Sequence, residues 1–320
     1  VYGFDAGDTE AGEPLLGVKD SLIKIDANIT DNHRASLRWS KTEQGEPLLP
    51  TNFNNAISLS SHWYDQNKTI ETYVGEVFSD WTENFSTELK VSYRDYASAP
   101  DNASFLPQIR LNFARPLPPD SPAVANVNSG LVFGTERSRH FNDLATETWN
   151  YYAAANWFIG DHEVKFGFDY DDNDVYNAFL QDVNGNYTFA CINASATFTY
   201  ADPTLAGLNC NTATRAQNEA AVLENYRRGR PTSYSVQVGL PGFDINDGVA
   251  VWDYQNLGLF LQDTWAVNYN LTLMAGIRVD RKSMGKSPIL NTAAAAAVVD
   301  GSIAGNTTPW VGTVTRASGG

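Results

Sequence analysis

The chain has 320 residues, 42% hydrophobic, 18% charged and 12% aromatic, with 22 Lys and Arg against 37 Asp and Glu for a net charge of −15. That balance is too polar for a bundle of membrane helices, too aromatic for a disordered chain and too acidic for a nucleic-acid partner. No stretch approaches the roughly 20 apolar residues that a membrane-spanning helix needs, the longest apolar tract being the "AAAAAVV" at 293–299.

In chain order, the start "VYGFDAGDTE" has no basic region followed by an apolar one, so either a leader has been removed or this is an interior piece. Hairpin patterns then recur. "SLIKIDANIT" sets Ile23, Ile25, Ala27 and Ile29 against Lys24, Asp26 and Asn28; after a turn at Asp31, Asn32 and His33, "RASLRWSK" sets Ala35, Leu37 and Trp39 against Ser36, Arg38 and Ser40. Side chains of a strand alternate between faces, so each run is a strand with one apolar face. A second hairpin turns at Thr82, Glu83 and Asn84, with Phe85, Leu89, Val91 and Tyr93 opposite Glu88, Lys90, Ser92 and Arg94. A third turns at Gly160 and Asp161, with Val164, Phe166, Phe168 and Tyr170 opposite Lys165, Gly167, Asp169 and Asp171. Two cysteines, Cys191 and Cys210, follow in a loop-like segment; an even pair there favours a disulfide in an oxidising compartment over two buried thiols. "TATRAQNEAAVLENYRRG" reads as a short loop helix with Thr214 and Gln217 as a capping box and Gly229 just past its end. The fourth hairpin turns at 267–270 and puts Leu271, Leu273, Ala275, Ile277 and Val279 on one face, with Thr272, Met274, Gly276, Arg278 and Asp280 on the other. The alanine run at 293–297 reads as a second loop helix or as spacer.

The four turns are short, polar and flanked by aromatics: Trp39; Trp81 and Phe85; Trp157 and Phe158; Trp265 and Tyr269. Between hairpins lie long segments that read as irregular: 44–55, 97–130, 182–231 and from 285 onward. Ionic residues on the second face rule against a second buried layer. The fold expected is therefore all-β, an antiparallel transmembrane β-barrel segment of about eight to ten long strands, with an apolar band, aromatic girdles, short periplasmic turns and long extracellular loops. A soluble β-sandwich with one wet face is the competing fold, and strands this long with Trp and Tyr beside the turns argue against it.

At "GLFLQDTWAVNYNLTLMAGIRVD" the residues reach a family. The stretch resembles the barrel signature of TonB-dependent outer-membrane receptors at Phe260, Gln262, Asp263, Trp265, Asn270, Leu271, Thr272, Leu273, Gly276 and Arg278. "FSDWTENFSTELKVSYRDY" looks like another hairpin of such barrels, and "ENYRRGRPTSYSVQ" is similar to a segment of the Oar-like branch. The resemblance implies that 1–320 is part of one receptor barrel domain, without the plug domain and TonB box, since about eight to ten strands fall short of the roughly 22 of plugged transporters. It further implies uptake of a scarce solute at the cell outer membrane. The partners would be the TonB complex acting through a plug outside this chain, outer-membrane lipid and lipopolysaccharide, and a small or oligomeric solute. A passive porin-like channel and a structural or adhesive surface barrel are the alternatives.

No catalytic motif is present, and no enzyme activity, cofactor or metal is expected. His33, His62, His140 and His162 are dispersed, and His162-Glu163 lacks a second histidine at metalloprotease spacing. Asp169, Asp171 and Asn173 have calcium-loop offsets, but Asp174 and Leu180 stand where a Gly and a Glu would be needed, which leaves a solvated acidic strand end, with a looser Ca²⁺ site at the barrel rim as the alternative. Arg227, Arg228 and Arg230 read as caps of the loop helix, with an anionic ligand or lipopolysaccharide phosphate as the alternative partner. The substrate-binding candidates are residues of the ionic face, Arg38, Lys90, Arg94, Asp169 and Arg278. The expected disulfide joins Cys191 and Cys210.

Overall fold

Unbroken alternation over the 14 to 19 residues of the long strands commits the chain to an extended form, because only a pleated backbone sorts every second side chain to one face. In the computed structural model, which describes residues 5–10, 14–49, 56–113, 129–239, 241–285, 298–300 and 311–313, each expected hairpin forms. Strands β1 (Gly17–Thr30) and β2 (His33–Leu48) come first, followed by a short β3 (Ala56–Ser58). The next long pair is β4 (Tyr64–Thr82) and β5 (Phe85–Asn102), followed by short β6 (Gln108–Phe113) and β7 (Ser129–Phe133). Strands β8 (Asn142–Ile159) and β9 (His162–Phe179) precede β10 (Asn186–Phe189), helix α1 (Arg215–Arg227) and β11 (Ser233–Ser235). The last long pair is β12 (Ala250–Asn268) and β13 (Leu271–Met284); β14 (Val298–Asp300) and β15 (Val311–Thr313) pair with each other.

The eight long strands form one antiparallel sheet in the order β1-β2-β4-β5-β8-β9-β12-β13. Among the described residues β1 and β13 do not pair with each other, so the sheet is open along both edges. Its short connections all lie on one rim and are two residues long: Asp31 and Asn32, Glu83 and Asn84, Gly160 and Asp161, Tyr269 and Asn270. A two-residue hairpin normally needs positive φ at its tip, and here only Gly160 supplies it, at 59°. The other three hairpins instead shift register just before the turn, between Asn28 and Thr30, Asp80 and Thr82, and Ala266 and Asn268. Such bulges let the strands close without a left-handed residue. His33, read from the sequence as part of a turn, is the first residue of β2.

The register divides the side chains as the alternation requires. One row runs Ala35–Val77–Leu89–Ala153–Phe168–Leu259–Val279, and the next Ser79–Thr87–Ala155–Phe166–Leu261–Ile277. Ile23, Ile25, Leu37, Leu89, Val91, Phe166, Phe168, Leu273 and Ile277 are all exposed on this face. Both buried apolar clusters lie elsewhere, in the long connections. Among the described residues the aliphatic face packs against no other layer, so the sheet is no half of a sandwich; that face is made for an apolar solvent.

Aromatics bound the aliphatic rows on both sides, with one correction. Trp39 does not flank a short turn. It stands in a row with Tyr73, Tyr93 and Trp149 on the side of the long connections. From Tyr93 to Phe85 the strand climbs about 27 Å at ~3.4 Å per residue. At a tilt of about 40° that leaves a band on the order of 20 Å, the scale of the apolar belt of an outer-membrane barrel.

The long segments are less irregular than their composition implies. Residues 44–48 continue β2 and 97–102 continue β5, carrying the wall well beyond the aromatic row. Beyond it, three connections interleave into a second sheet, β11-β10-β6-β7-β3. Strand β6 pairs parallel to β10 and antiparallel to β7, and β7 pairs parallel to β3. These pairings join residues far apart in sequence, which local alternation in runs of three to six residues cannot reveal. Helix α1 packs on this sheet, with Val222 buried against Ile109, Leu111, Phe133 and Phe189. Thr214 caps α1 as expected, exchanging hydrogen bonds with Gln217, and Gly229 follows the helix at φ 62°. The Cys191–Cys210 disulfide is present, beside a cluster of Leu205, Leu208, Ala213 and Ala221. The alanine run at 293–297 lies outside the described residues.

Candidate functional site

The polar face is the surface on which the candidate residues fall. Arg38, Lys90, Arg94, Asp169 and Arg278 all have the register of that face, opposite the aliphatic rows. Three of them come together. Lys90, Tyr152, Asp169, Gly258 and Asp280 are consecutive partners across β5, β8, β9, β12 and β13. The Lys90 ammonium sits 5.2 Å from the centre of the Tyr152 ring, which stacks on Phe260 at 5.9 Å. Arg278 pairs with Asp280 at 2.8 Å and reaches toward Asp169 at 3.8 Å. Asn150 Nδ2 donates to both Asp169 (2.7 Å) and Asp171 (2.8 Å). Arg38 and Arg94 stand apart from this group. Arg38 lies on β2 between Lys24 and Val74, and Arg94 on β5 donates to Thr148 Oγ1 at 3.3 Å.

This patch is packed flat. A Cβ at Gly258 would collide with the Arg278 guanidinium, and one at Gly167 with the Phe260 ring and the Ala153 carbonyl. The two glycines therefore let a cation and an aromatic ring lie across the strands, the use of strand glycine where another group approaches closely. Tyr152, Phe260, Asn150 and Asp171 were not singled out as binding candidates from the sequence. The signal available was a glycine breaking an otherwise bulky alternation, at Gly167 and Gly258. The acidic stretch at Asp169, Asp171 and Asn173 is also not a solvated strand end. It lies within β9, tied laterally by Asn150 and by Thr148, whose hydroxyl donates to Asn173 Oδ1 at 2.9 Å.

Above the long-connection rim, a buried polar knot fixes the second sheet to the wall. His62 Nδ1 donates to the Gly134 carbonyl (2.8 Å), and Gly134 N donates to Ser61 Oγ (2.9 Å). Arg137 forms a bidentate pair with Asp182 (2.6 and 2.8 Å), to which Ser235 also donates (2.9 Å). Burial pushes the His62 imidazole below its ordinary value, overriding the Gly134 carbonyl and Glu136, which act to raise it. Burial also acts to raise Asp182, but the hydrogen bonds from Arg137 and Ser235 prevail and hold its carboxyl low. Arg227 ends α1, and the side chains of the two arginines that follow it make local contacts other than to the helix's last carbonyls. Arg228 pairs with Glu224 (3.1 Å), and Arg230 donates to the Thr199 carbonyl while lying over the Phe198 ring. The four histidines remain scattered. His33 packs edge-on to Trp81, His162 stacks on Trp265 and donates to Asp263, and His62 and His140 are buried at the base of the connections.

No curated protein matches this sequence. Among solved structures, the outer membrane transporter YddB from Escherichia coli is similar at 13% identity and a TM-score of 0.49, over 83% of this chain and 27% of that one. The copper transporter OprC aligns at 12% identity and 0.41 over 88% of this chain and 31% of its own. FpvA of P. aeruginosa, in complex with a heterologous ferric pyoverdine, aligns at 11% and 0.42 over 85% and 31%. The chain thus spans about a third or less of the length of these proteins. The sequence profile of the outer membrane beta barrel domain matches residues 18–293, a span that holds all eight long strands except the first residue of β1. The chain belongs to the outer membrane beta barrel domain family, in whose walls the aliphatic face is the one suited to lipid and the polar face to the lumen.

Proposed function

We propose that this chain is one arc of the barrel of an active-import receptor, driven through TonB, that takes up a scarce solute. The observation that carries the reading is the pairing of a charged, laterally tied lumen wall with a folded cap built from three long connections. The signature residues from Phe260 to Arg278, which resemble those of TonB-dependent receptors, support the coupling to TonB. In this reading the rim of two-residue turns is periplasmic and the cap faces the cell exterior, since short turns belong to the periplasmic side of such barrels. The cap captures solute. The patch of Lys90, Tyr152, Asp169, Phe260 and Arg278, with Arg38 and Arg94 farther along the wall, contacts it on the way through.

The open edges favour an arc over a self-contained channel. Lipid leaves no water to satisfy unpaired backbone groups, so β1 and β13 need neighbours on their free sides. A larger barrel leaves room for a gate inside it. The test is accumulation of labelled ferric siderophores, cobalamin, oligosaccharides and oligopeptides by cells producing the full-length protein, with TonB present and removed. Uptake of one class that stops without TonB is the expected result. Uptake that persists supports a passive channel, and accumulation of none supports a structural or adhesive barrel.

A further inference from the structure

The lipid face is not uniformly filled. At Gly75 in β4 the band has a groove of about 650 Å³, bordered by Ile25, Leu37, Trp39, Tyr73, Val91 and Trp149. We propose that this groove is a specific seat for one acyl chain of a membrane lipid from the leaflet on the long-connection side. The inference rests only on membership of an outer-membrane barrel family, so it stands or falls apart from the transport reading.

Three observations identify the occupant. First, the groove opens within the aliphatic band, one row below the aromatic row, and so lies inside hydrocarbon. Second, the polar tips of its rim turn toward the headgroup side. Trp39 Nε1 donates to Glu71 Oε1 at 2.8 Å and the Tyr73 hydroxyl donates to the same oxygen at 2.6 Å. Glu71 stands beside Lys41, one row farther toward the long connections. Apart from Arg38, whose register is that of the opposite face, the groove is bounded by ring faces and aliphatic carbons. A protein segment would bring backbone amides that nothing in the groove pairs, whereas an acyl chain has no polar group to satisfy. Third, the floor is empty because residue 75 has no side chain, not because a neighbour forbids one. A Cβ there would meet only Leu37 Cδ2, at an ordinary 3.5 Å. Its direct partners in the same row, Leu37 and Val91, carry side chains on this face.

The experiment uses the full-length protein in phosphatidylcholine bilayers doped with a phosphatidylcholine that bears a diazirine midway along one acyl chain. After irradiation, adducts are mapped to peptides. The expected result is a several-fold excess of adducts on the peptides holding Leu37, Trp39 and Val91 over those holding Leu259, Leu261 and Ile277 of the same band. Gly75→Leu should bring that excess down to the level of the rest of the face, and Gly75→Ala should reduce it only in part. Heat-modifiable migration on gels checks that each variant is folded. Should Gly75→Leu fail to insert, Val91→Phe fills the groove from the neighbouring strand. Even labelling that Gly75→Leu leaves unchanged would mean fluid lipid only and overturn the proposal. Cross-linking of a second protein chain to the groove residues, in place of lipid adducts, would overturn it as well.

Discussion

The same substitution has different consequences on the two faces of this wall, and residue-level tests follow from that. Leu89 sits in the middle aliphatic row, exposed between Val77 and Ala153. Leu89→Arg places a charge near the bilayer midplane and should cost about 2–4 kcal/mol. Ser92, three residues along β5, belongs to the opposite face. Ser92→Arg should change stability by less than about 1 kcal/mol, because its charge meets the water and counter-charges of the lumen. Equilibrium unfolding of both variants from lipid vesicles checks the difference; equal losses would contradict the assignment of faces. Ion pairs of the polar face such as Arg278 with Asp280 are about 40% exposed at the side chain, so breaking them should change stability by no more than about 1 kcal/mol.

At the scale of elements, the cap is held by two devices that respond to different agents. The Cys191–Cys210 bond closes a separation of 19 residues just before helix α1. A chain-entropy estimate for such a loop is about 3 kcal/mol, on a model-dependent scale. Reduction should make 180–249 sensitive to protease while the long strands stay protected, and loss of protection throughout would contradict a cap that folds as its own unit. The second device is the polar knot around His62. Its imidazole is held neutral by burial, with a folded pKa below the unfolded value of 6.5. Its contribution is complete above about pH 6.5 and is lost as the pH falls through the lowered folded value, because the unfolded chain binds the proton first. Protease resistance of the cap should therefore begin to fall just below neutrality, and a His62→Asn variant should lack that step. Asp182, held low by Arg137 and Ser235, adds a separate loss only in the carboxylate range. A single acid transition near pH 4, unchanged in the His62 variant, would remove histidine from the account.

For the whole molecule, the decisive question is whether β1 meets β13. A closed eight-stranded barrel would bring the two edges within hydrogen-bonding distance, about 5 Å, whereas an arc of a larger barrel keeps them apart. Cysteines introduced on the lipid face at Ile25 and Val279 should not be joined by a short bifunctional thiol reagent in the full-length protein. The control pair Ile25→Cys with Leu37→Cys, direct partners in the β1-β2 register, should be joined readily. Efficient joining of the first pair would establish a self-contained barrel and favour the porin or adhesive reading.

Much of this protein was legible without coordinates, because a transmembrane strand writes its environment into every second residue. The alternation at Ile23, Ile25, Leu37, Leu89, Phe166, Phe168 and Ile277 determined the faces. The short polar turns determined the hairpins, and Thr214 with Gln217 determined where the loop helix begins. Each is a local constraint, satisfied by neighbours in sequence. What only the tertiary structure decided depends on residues far apart in the chain. The parallel pairing of β6 with β10 and of β7 with β3, the polar knot joining Ser61, His62, Gly134, Arg137 and Asp182, and the move of Trp39 to the upper aromatic row are of this kind. So are the flat patch over Gly167 and Gly258 and the groove over Gly75. A short strand in a loop carries too few residues to show a period. A glycine likewise does not say whether its missing side chain serves a turn, a close approach or an empty space until its cross-strand neighbours are known.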